Sequence, residues 1–429
     1  MIRTPLARRH RQHGAAALIV VIVLFFILAL VTAYAGRTLI FEQRTSVNNQ
    51  RTAQAFEAAE SGLEFAIGLL SSGRVDAQCV SSNSILDNTF RQRHMTQLAG
   101  GEFQVAGGMA VLRPTCMMLD AGPVCSCPTA GAPVLVPPVG GLAPTFQLKF
   151  DTTGIAQAGV VRATARGCSN IGKQCFDAST DNADAVAEVS VLLGLNSALA
   201  TPPAAALTVR GTLDLNSRAA TIVNADVPSR GVTMDAGGAI VNKDSVRLSS
   251  VPGTPGSMSV IASDASLIEL ASADRMFSSL FGMDRDTYRT QPGVVQVTCS
   301  ADCGIDIDNA VFKNPGRVIW VQGPATISST RTWGTEAQPV TLFVQGDLTV
   351  SANVQMFGLL YLHGSGGANT WTTPAGSTLI QGAVVAEGNL LLDGTPTIVF
   401  NPAALRAINL TQGSMVRIPG SWRDFATGS

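Results

Sequence analysis

From Ala15 to Ala35 every position is apolar except Thr32 and Tyr34, and the run follows a basic stretch, RRHRQHG, at 8–14. Twenty-one helical residues cover roughly 30 Å, the thickness of a bilayer's hydrocarbon core. The apolar core of a cleaved secretory signal is shorter, about 7–15 residues. Beyond the run the pattern changes but does not stop. From Thr38 to Leu70 there is no proline, and Phe56, Ala59, Leu63, Ile67 and Leu70 recur every three or four residues. That spacing predicts one amphipathic stripe continuing the same helix. The helix is expected to end at Ser71-Ser72-Gly73, with Gly73 as its C-terminal cap.

Past the helix the period shortens. Strand-like runs lie at 101–113, 145–150, 159–166 and 185–194, with a Pro/Gly/Cys-rich stretch at 114–144 between the first two. They predict a small antiparallel sheet packed on the helical stripe. The segment ALATPPAAA at 198–206 reads as a linker. From 207 onward, β-runs are punctuated by Gly211, Gly323, Gly346, Gly364 and Gly388, the last four 23, 18 and 24 residues apart. Repeats near this length predict the coils of a parallel β-solenoid, each turning at a glycine that accepts positive φ. A β-sandwich is the rival architecture. Residues 270–295 break the repeat and read as a helical insertion or cap. The expected fold is thus α+β then all-β: a long N-terminal helix on a small antiparallel sheet, followed by a β-solenoid.

Composition agrees with a β-rich chain. The 429 residues are 46% hydrophobic, 14% charged and 6% aromatic, with 42 glycines. The net charge is −1, and the first fourteen residues hold four arginines and no acid, so the remainder is mildly acidic and gives no footprint for nucleic acid. Those arginines place the N-terminus in the cytoplasm and everything after Ala35 across the membrane. All eight cysteines, Cys79, Cys116, Cys125, Cys127, Cys168, Cys175, Cys299 and Cys303, follow the apolar run. An even number in loop-like surroundings favours disulfides in an oxidising compartment over metal, with Cys168–Cys175 and Cys299–Cys303 as the simplest local pairs. No CxxC is present.

Candidate chemistry is sparse. Only four histidines occur, two of them in the basic leader, and no GxSxG, HExxH or P-loop is present. Asp306 and Asp308, in ADCGIDIDNA, are expected to alternate on one side of a strand near Asp302. As a carboxylate pair or calcium site they are the metal or catalytic candidates; the plainer reading is solvated strand residues. Trp333 and Trp371 are candidates for stacking on a sugar, or core residues. The loop after His363, at Gly364, reads as a turn. No cofactor is expected.

The N-terminal residues carry a resemblance. The leader ending in Gly14, the run GAAALIVVIVL, Glu42-Gln43-Arg44, Asn49 and AFEAAESGL at 55–63 closely resemble PilX-type minor pilins of type IV pili. In the last motif Phe56, Ala59 and Leu63 form the stripe, while Glu57 and Glu60 are expected to stay solvated. The resemblance covers about residues 8–70; the later region looks like the long extension of larger members. It implies a prepilin leader (1–14), a pilin helix (15–70, membrane-spanning at 15–35), a pilin-like β domain (71–198) and the repeat region (199–429). It implies that prepilin peptidase cuts between Gly14 and Ala15 and methylates Ala15. Leu18, Ile19, Val20, Leu24, Phe25, Leu28 and Val31 then anchor the chain in the inner membrane as a single pass, C-terminus periplasmic, and later pack against other pilins. Major pilins have glutamate at mature position five, where this chain has Ile19. A buried carboxylate in lipid is costly unless paired, and a subunit lacking it suits the fibre tip. The implied role is structural, not enzymatic: priming pilus assembly with minor and major pilins and presenting the C-terminal region for adhesion or to a tip adhesin. Three other readings stay open: a tip pseudopilin of type II secretion, a membrane-anchored β-helix glycan lyase or hydrolase, and a secreted module cut after Ala35.

Overall fold

The computed structural model describes residues 14–424 apart from 77–78, 83, 85–86, 99–101, 106–112, 128–134, 137–142, 171–184, 217, 271, 365–366 and 375. One helix, α1 (Gly14–Ser71), covers the whole apolar run and the amphipathic continuation. Its 58 residues span roughly 87 Å. It ends where Ser72 turns its hydroxyl back to the carbonyl of Leu69 at 2.7 Å. The expected glycine cap is not used: Gly73 does not adopt positive φ.

A short helix α2 (Phe90–His94) and a two-stranded pair, β1 (Met95–Gln97) with β2 (Phe103–Val105), follow. The main antiparallel sheet contains β3 (Thr115–Leu119), β4 (Gly122–Ser126), β5 (Thr145–Asp151), β6 (Val160–Cys168) and β7 (Val186–Ser197). Three of the expected strands are present as β5, β6 and β7. Of the fourth, at 101–113, only Glu102, the β2 portion and Arg113 fall among the described residues. The Pro/Gly/Cys-rich stretch holds two strands that its composition conceals, because β3 and β4 are short and clamped by a disulfide between the facing residues Cys116 and Cys125. The sheet packs on α1 through small residues. Ala55, Ala58, Ala59, Leu63 and Ala66 are buried against Val161, Ala163 and Ala165. Contact is closest at Gly167, where a Cβ would lie 2.1 Å from the carbonyl oxygen of Ala55.

Beyond Ser197 the strands become short and parallel. In chain order they are β8 (Leu207–Val209), β9 (Leu213–Asp214), β10 (Thr221–Val223), β11 (Met234–Ala236), β12 (Ile240–Val241), β13 (Arg247–Ser249) and β14 (Val260–Ala262). Three helices interrupt, α3 (Ala265–Glu269), α4 (Ala273–Phe281) and α5 (Arg285–Arg289). Then come β15 (Val294–Thr298), α6 (Cys303–Lys313), β16 (Val318–Gln322), β17 (Ala325–Ile327), β18 (Arg331–Trp333), β19 (Val340–Gln345), β20 (Leu348–Val350), β21 (Val354–His363), β22 (Ala368–Thr373), β23 (Thr378–Ala386), β24 (Asn389–Gly394) and β25 (Thr397–Phe400). A last helix, α7 (Pro402–Thr411), precedes β26 (Gly413–Arg417).

The pairings form parallel ladders in register. One column runs Val260, Met234, Leu207, Val384, Leu360, Leu342, Ile319, Val295 across eight strands. Its steps from Ile319 to Leu342, Leu360 and Val384 are 23, 18 and 24 residues, the same as the glycine spacing. The chain enters the stack in its middle. It runs outward through β8, β11 and β14, crosses by α3–α5 to the opposite end, and returns from β15 to β23, which pairs with β8. The glycines act in two ways. Gly323 and Gly346 have φ of +98° and +133°, as a left-handed turn requires. Gly211, Gly364 and Gly388 do not; a Cβ on each would meet a neighbouring segment within 2.3 Å.

Two expectations about this region change. The 198–206 segment is not a free linker: Ala198, Leu199, Ala205 and Ala206 are buried. The 270–295 segment does fold as helices, and they cover one face of the ladder. Phe277, Phe281 and Tyr288 pack on Trp320, Phe343 and Tyr361, with Trp320 stacked on Phe343 at 4.6 Å. Finally, β26 leaves the parallel region and pairs antiparallel with β7, Gly413 opposite Ser197 and Arg417 opposite Leu193. The last described strand of the chain is thus an edge of the first large sheet.

Candidate functional site

The N-terminal helix is the most distinctive surface of the molecule. Leu18, Ile19, Val20, Leu24, Phe25, Leu28 and Val31 are each between 53% and 70% exposed among the described residues. The helix is long and apolar enough to cross a membrane. Its apolar surface also extends past the span expected from sequence, through Leu39, Ile40, Phe41 and Val47, all exposed. The adjacent trio Leu39-Ile40-Phe41 was the available signal. The hydroxyls of Thr32, Thr38 and Thr45 donate to carbonyls one turn back, at 2.9 Å to Leu28, 3.1 Å to Tyr34 and 2.9 Å to Phe41. Polar side chains so satisfied are tolerated in an apolar medium. Gly14 opens the helix. The side chains of residues 14–16, Ala15 among them, and everything before Gly14 lie outside the described residues.

Where α1 meets the sheet, the expected stripe needs adjusting. Ala59 and Leu63 are fully buried and Ile67 is half-buried. Phe56 instead lies at the edge, 37% exposed, with its ring 6.3 Å from that of Trp422 in an edge-on contact. The inward positions facing Gly167, Ala55 and Ala59, are alanines, because helix and sheet approach too closely there for a ring. Glu57 is exposed as expected, but Glu60 is not simply solvated. It accepts a hydrogen bond from the Trp422 indole at 2.6 Å, and Glu64 pairs with Arg417 at 2.7 Å. The chain's last described strand and turn thus grip the helix, a long-range contact with no local signature.

Three disulfides join Cys79 to Cys127, Cys116 to Cys125 and Cys299 to Cys303. Cys168 is also disulfide-bonded; Cys175, its expected partner, lies outside the described residues.

The acidic candidate does not have the expected geometry. Asp306 and Asp308 stand on helix α6, not on a strand, so two residues' separation turns them about 200° apart. Asp302 is the helix N-cap, accepting from the Gly304 amide at 3.0 Å. Asp306 accepts from the Ser300 amide and hydroxyl at 2.8 and 2.7 Å, which hold its pKa below the usual value. Asp308 accepts from the Trp333 indole at 2.5 Å and pairs with Arg331 at 3.2 Å. Each carboxylate serves a separate structural bond. Among the described residues no three His, Cys, Asp or Glu side chains gather as a metal site would require. Trp333 and Trp371 are buried, at 2% and 0% exposure, so neither offers a face to a sugar.

One buried charged cluster had no sequence signal. Glu387, 1% exposed, accepts from the Tyr361 hydroxyl at 2.7 Å and from Arg285 at 2.8 Å. His363 sits against it: a neutral ring donating from Nδ1 to Glu387 and receiving Arg285 at Nε2 meets both contacts. Burial and then Arg285 push the His363 pKa down to about 4, consistent with a neutral ring. The cluster fastens α5 to the ladder.

Residues 13–64 match the family model described as PilX N-terminal. A solved structure, the competence-associated pilin ComZ from Thermus thermophilus, is similar at 11% identity, covering 87% of this chain and 97% of that one, with a TM-score of 0.20. No curated protein matches the chain.

Proposed function

We propose that this chain is a minor pilin of a type IV pilus. The observation that carries the reading is the match of residues 13–64 to the PilX N-terminal family, together with an uncovered apolar helix surface from Leu18 to Val47 within it. Such a surface suits lipid first and a bundle of like helices afterwards. On this reading prepilin peptidase removes residues 1–14 and methylates Ala15. The helix holds the subunit in the inner membrane with its folded part periplasmic, and it then packs among other minor and major pilins. Glu42 is the first carboxylate after the leader, so Ile19 leaves the membrane segment without the charge a bulk subunit carries. That supports a place at the fibre tip, priming assembly. The parallel ladders are read as a β-solenoid that the tip presents for adhesion or to an adhesin. No catalytic role is proposed.

Replacing Gly14 with alanine tests the reading. The variant is expected to keep its leader, by intact mass, and to abolish piliation. A wild-type mass with normal pili would overturn it, and a mature N-terminus at Gly36 would make the chain a secreted module instead.

A further inference from the structure

A cleft of about 650 Å³ opens beside the junction of the two folded regions. Part of its lining comes from the second half of α6 and its exit, residues 308–317, and part from the turn between β18 and β19, residues 332–340. Arg74, from the chain that follows α1, joins the same lining. Its charged groups are two guanidiniums and one carboxylate. The carboxylate, Asp308, is already engaged, by the Trp333 indole and by Arg331 at 3.2 Å. The guanidiniums, Arg74 and Arg317, pair with no carboxylate among the described residues; they donate instead to the carbonyls of Phe312 and Ser71 near helix ends. A helix end carries about half a charge, so each guanidinium keeps about half of its own unanswered. Burial holds the Arg317 pKa below its ordinary value, as expected of a cation that no acid compensates. The side-chain amides of Asn309 and Gln338 and the Thr332 hydroxyl line the same space, are exposed, and have no protein partner among the described residues. Phe312, 40% exposed with Arg74 over its ring at 4.7 Å, adds apolar surface beside them.

We propose that this cleft binds an acidic saccharide, a hexuronic acid unit, with its carboxylate set against Arg74 and its hydroxyls bonded to Asn309, Gln338 and Thr332. Three features of the lining select that chemistry. The surplus of positive charge calls for an anion, and a guanidinium fork matches a planar carboxylate. Asp308 in the same lining disfavours a more highly charged group such as phosphate. Amide and hydroxyl side chains both donate and accept, as sugar hydroxyls do, so each can meet the other in either sense. The volume lies in the range of small-molecule sites. An extended acidic peptide fits less well, because α6 lies against the neighbouring strand β18, with Arg331 and Trp333 both bonded to Asp308. The cleft thus presents side chains in place of the strand edge to which a peptide would add. For its biological setting the site rests on the proposed presentation of this region, but saccharide binding and processing at Gly14 are measured separately and fail separately.

The test is calorimetric titration of the full chain, in detergent micelles, with digalacturonate. Saturable binding is expected, about tenfold or more tighter than that of the neutral disaccharide galactobiose, and weakening as salt is raised from about 0.05 to 0.5 M. Asn309→Asp and, separately, Gln338→Glu place an acid where the ligand's charge is expected. Both residues are exposed and neither side chain has a partner among the described residues, so the variants should melt as wild type does. Each should weaken digalacturonate binding by about tenfold or more and leave that of galactobiose nearly unchanged. Absence of saturable binding, equal affinity for the neutral sugar, or unchanged affinity in both variants would overturn the proposal. Tighter binding of a tetraglutamate peptide than of digalacturonate would also overturn it, by making an acidic polypeptide the occupant.

Discussion

Helix α1 and β6 approach backbone to backbone at Gly167, which sets a sharp expectation for Gly167→Ala. A Cβ there would sit 2.1 Å from the Ala55 carbonyl oxygen, 2.4 Å from the Ala59 nitrogen and 2.9 Å from the Ala59 Cα. All three are backbone atoms, so no side-chain rotation relieves the clash. To restore ordinary van der Waals distance the helix must retreat by about 1 Å, and a gap of that size forfeits a quarter to a half of each dispersion contact it opens. The contacts at risk are those of Ala55, Ala58, Ala59, Leu63 and Ala66 with the sheet. Overpacking of this kind costs about 1–3 kcal/mol, and this site is expected at the upper end. The comparison is Gly68→Ala, on the same helix, where nothing lies within 4 Å of the new methyl. That variant should gain about 0.5–1 kcal/mol from helix propensity alone. Native-state hydrogen exchange of the β6 amides, in the full chain, reads both. If Gly167→Ala stays within about 0.3 kcal/mol of wild type, the helix does not pack against the sheet as described.

Glu387→Gln removes the buried partner of Arg285, and breaking such a pair costs about 3–5 kcal/mol; faster amide exchange across 273–289 is the readout, and unchanged exchange there would sink the idea that the cluster holds α4 and α5 down. Asp235 is half-buried beside Asp264, and burial followed by that neighbour raises its pKa from 3.8 to about 6. The folded chain therefore keeps a proton that the unfolded chain releases, so stability falls as pH rises from about 4 to about 6. Asp235→Asn should match wild type near pH 4 and exceed it at pH 7 by about 1 kcal/mol once solvent screening is allowed for; parallel melting curves across pH would contradict this. Trp422→Ala, which deletes the ring on Phe56 and the bond to Glu60, is expected to lose about 1–2 kcal/mol in urea unfolding.

What could be read from sequence was what repeats over short distances. The helix was legible because residues 15–70 lack proline and the apolar run passes into a stripe recurring every three or four residues. The stack was legible because Gly323, Gly346, Gly364 and Gly388 mark the same steps that the strand register takes. What failed was set by distance or by exact local geometry. Asp306 and Asp308 look like alternating strand residues, yet Asp302 caps a helix through them. Phe56 has the period of the stripe but not the space, since the approach at Gly167 admits only alanine opposite. Glu387 meets Arg285 and His363 from separate segments that no pattern links.

The segment 198–206 shows why this matters for how the two folded regions are joined. Read as a linker, it would let the parallel region swing on a single strand of chain. The fold instead enters that region from β7 and leaves it by β26, and these strands are hydrogen-bonded neighbours over five facing pairs. Three arginines close the junction by capping helix ends. Arg317 donates to Ser71 at the end of α1 at 3.0 Å, Arg91 to Thr411 at the end of α7 at 2.9 Å, and Arg74 to Phe312 near the end of α6. Each guanidinium meets the negative end of a helix dipole. A load applied to the parallel region must therefore shear a strand pair and strip three capped helix ends, where a linker would simply extend. A region attached in this way is held at a fixed attitude to α1, as the proposed presentation from a fibre tip would require.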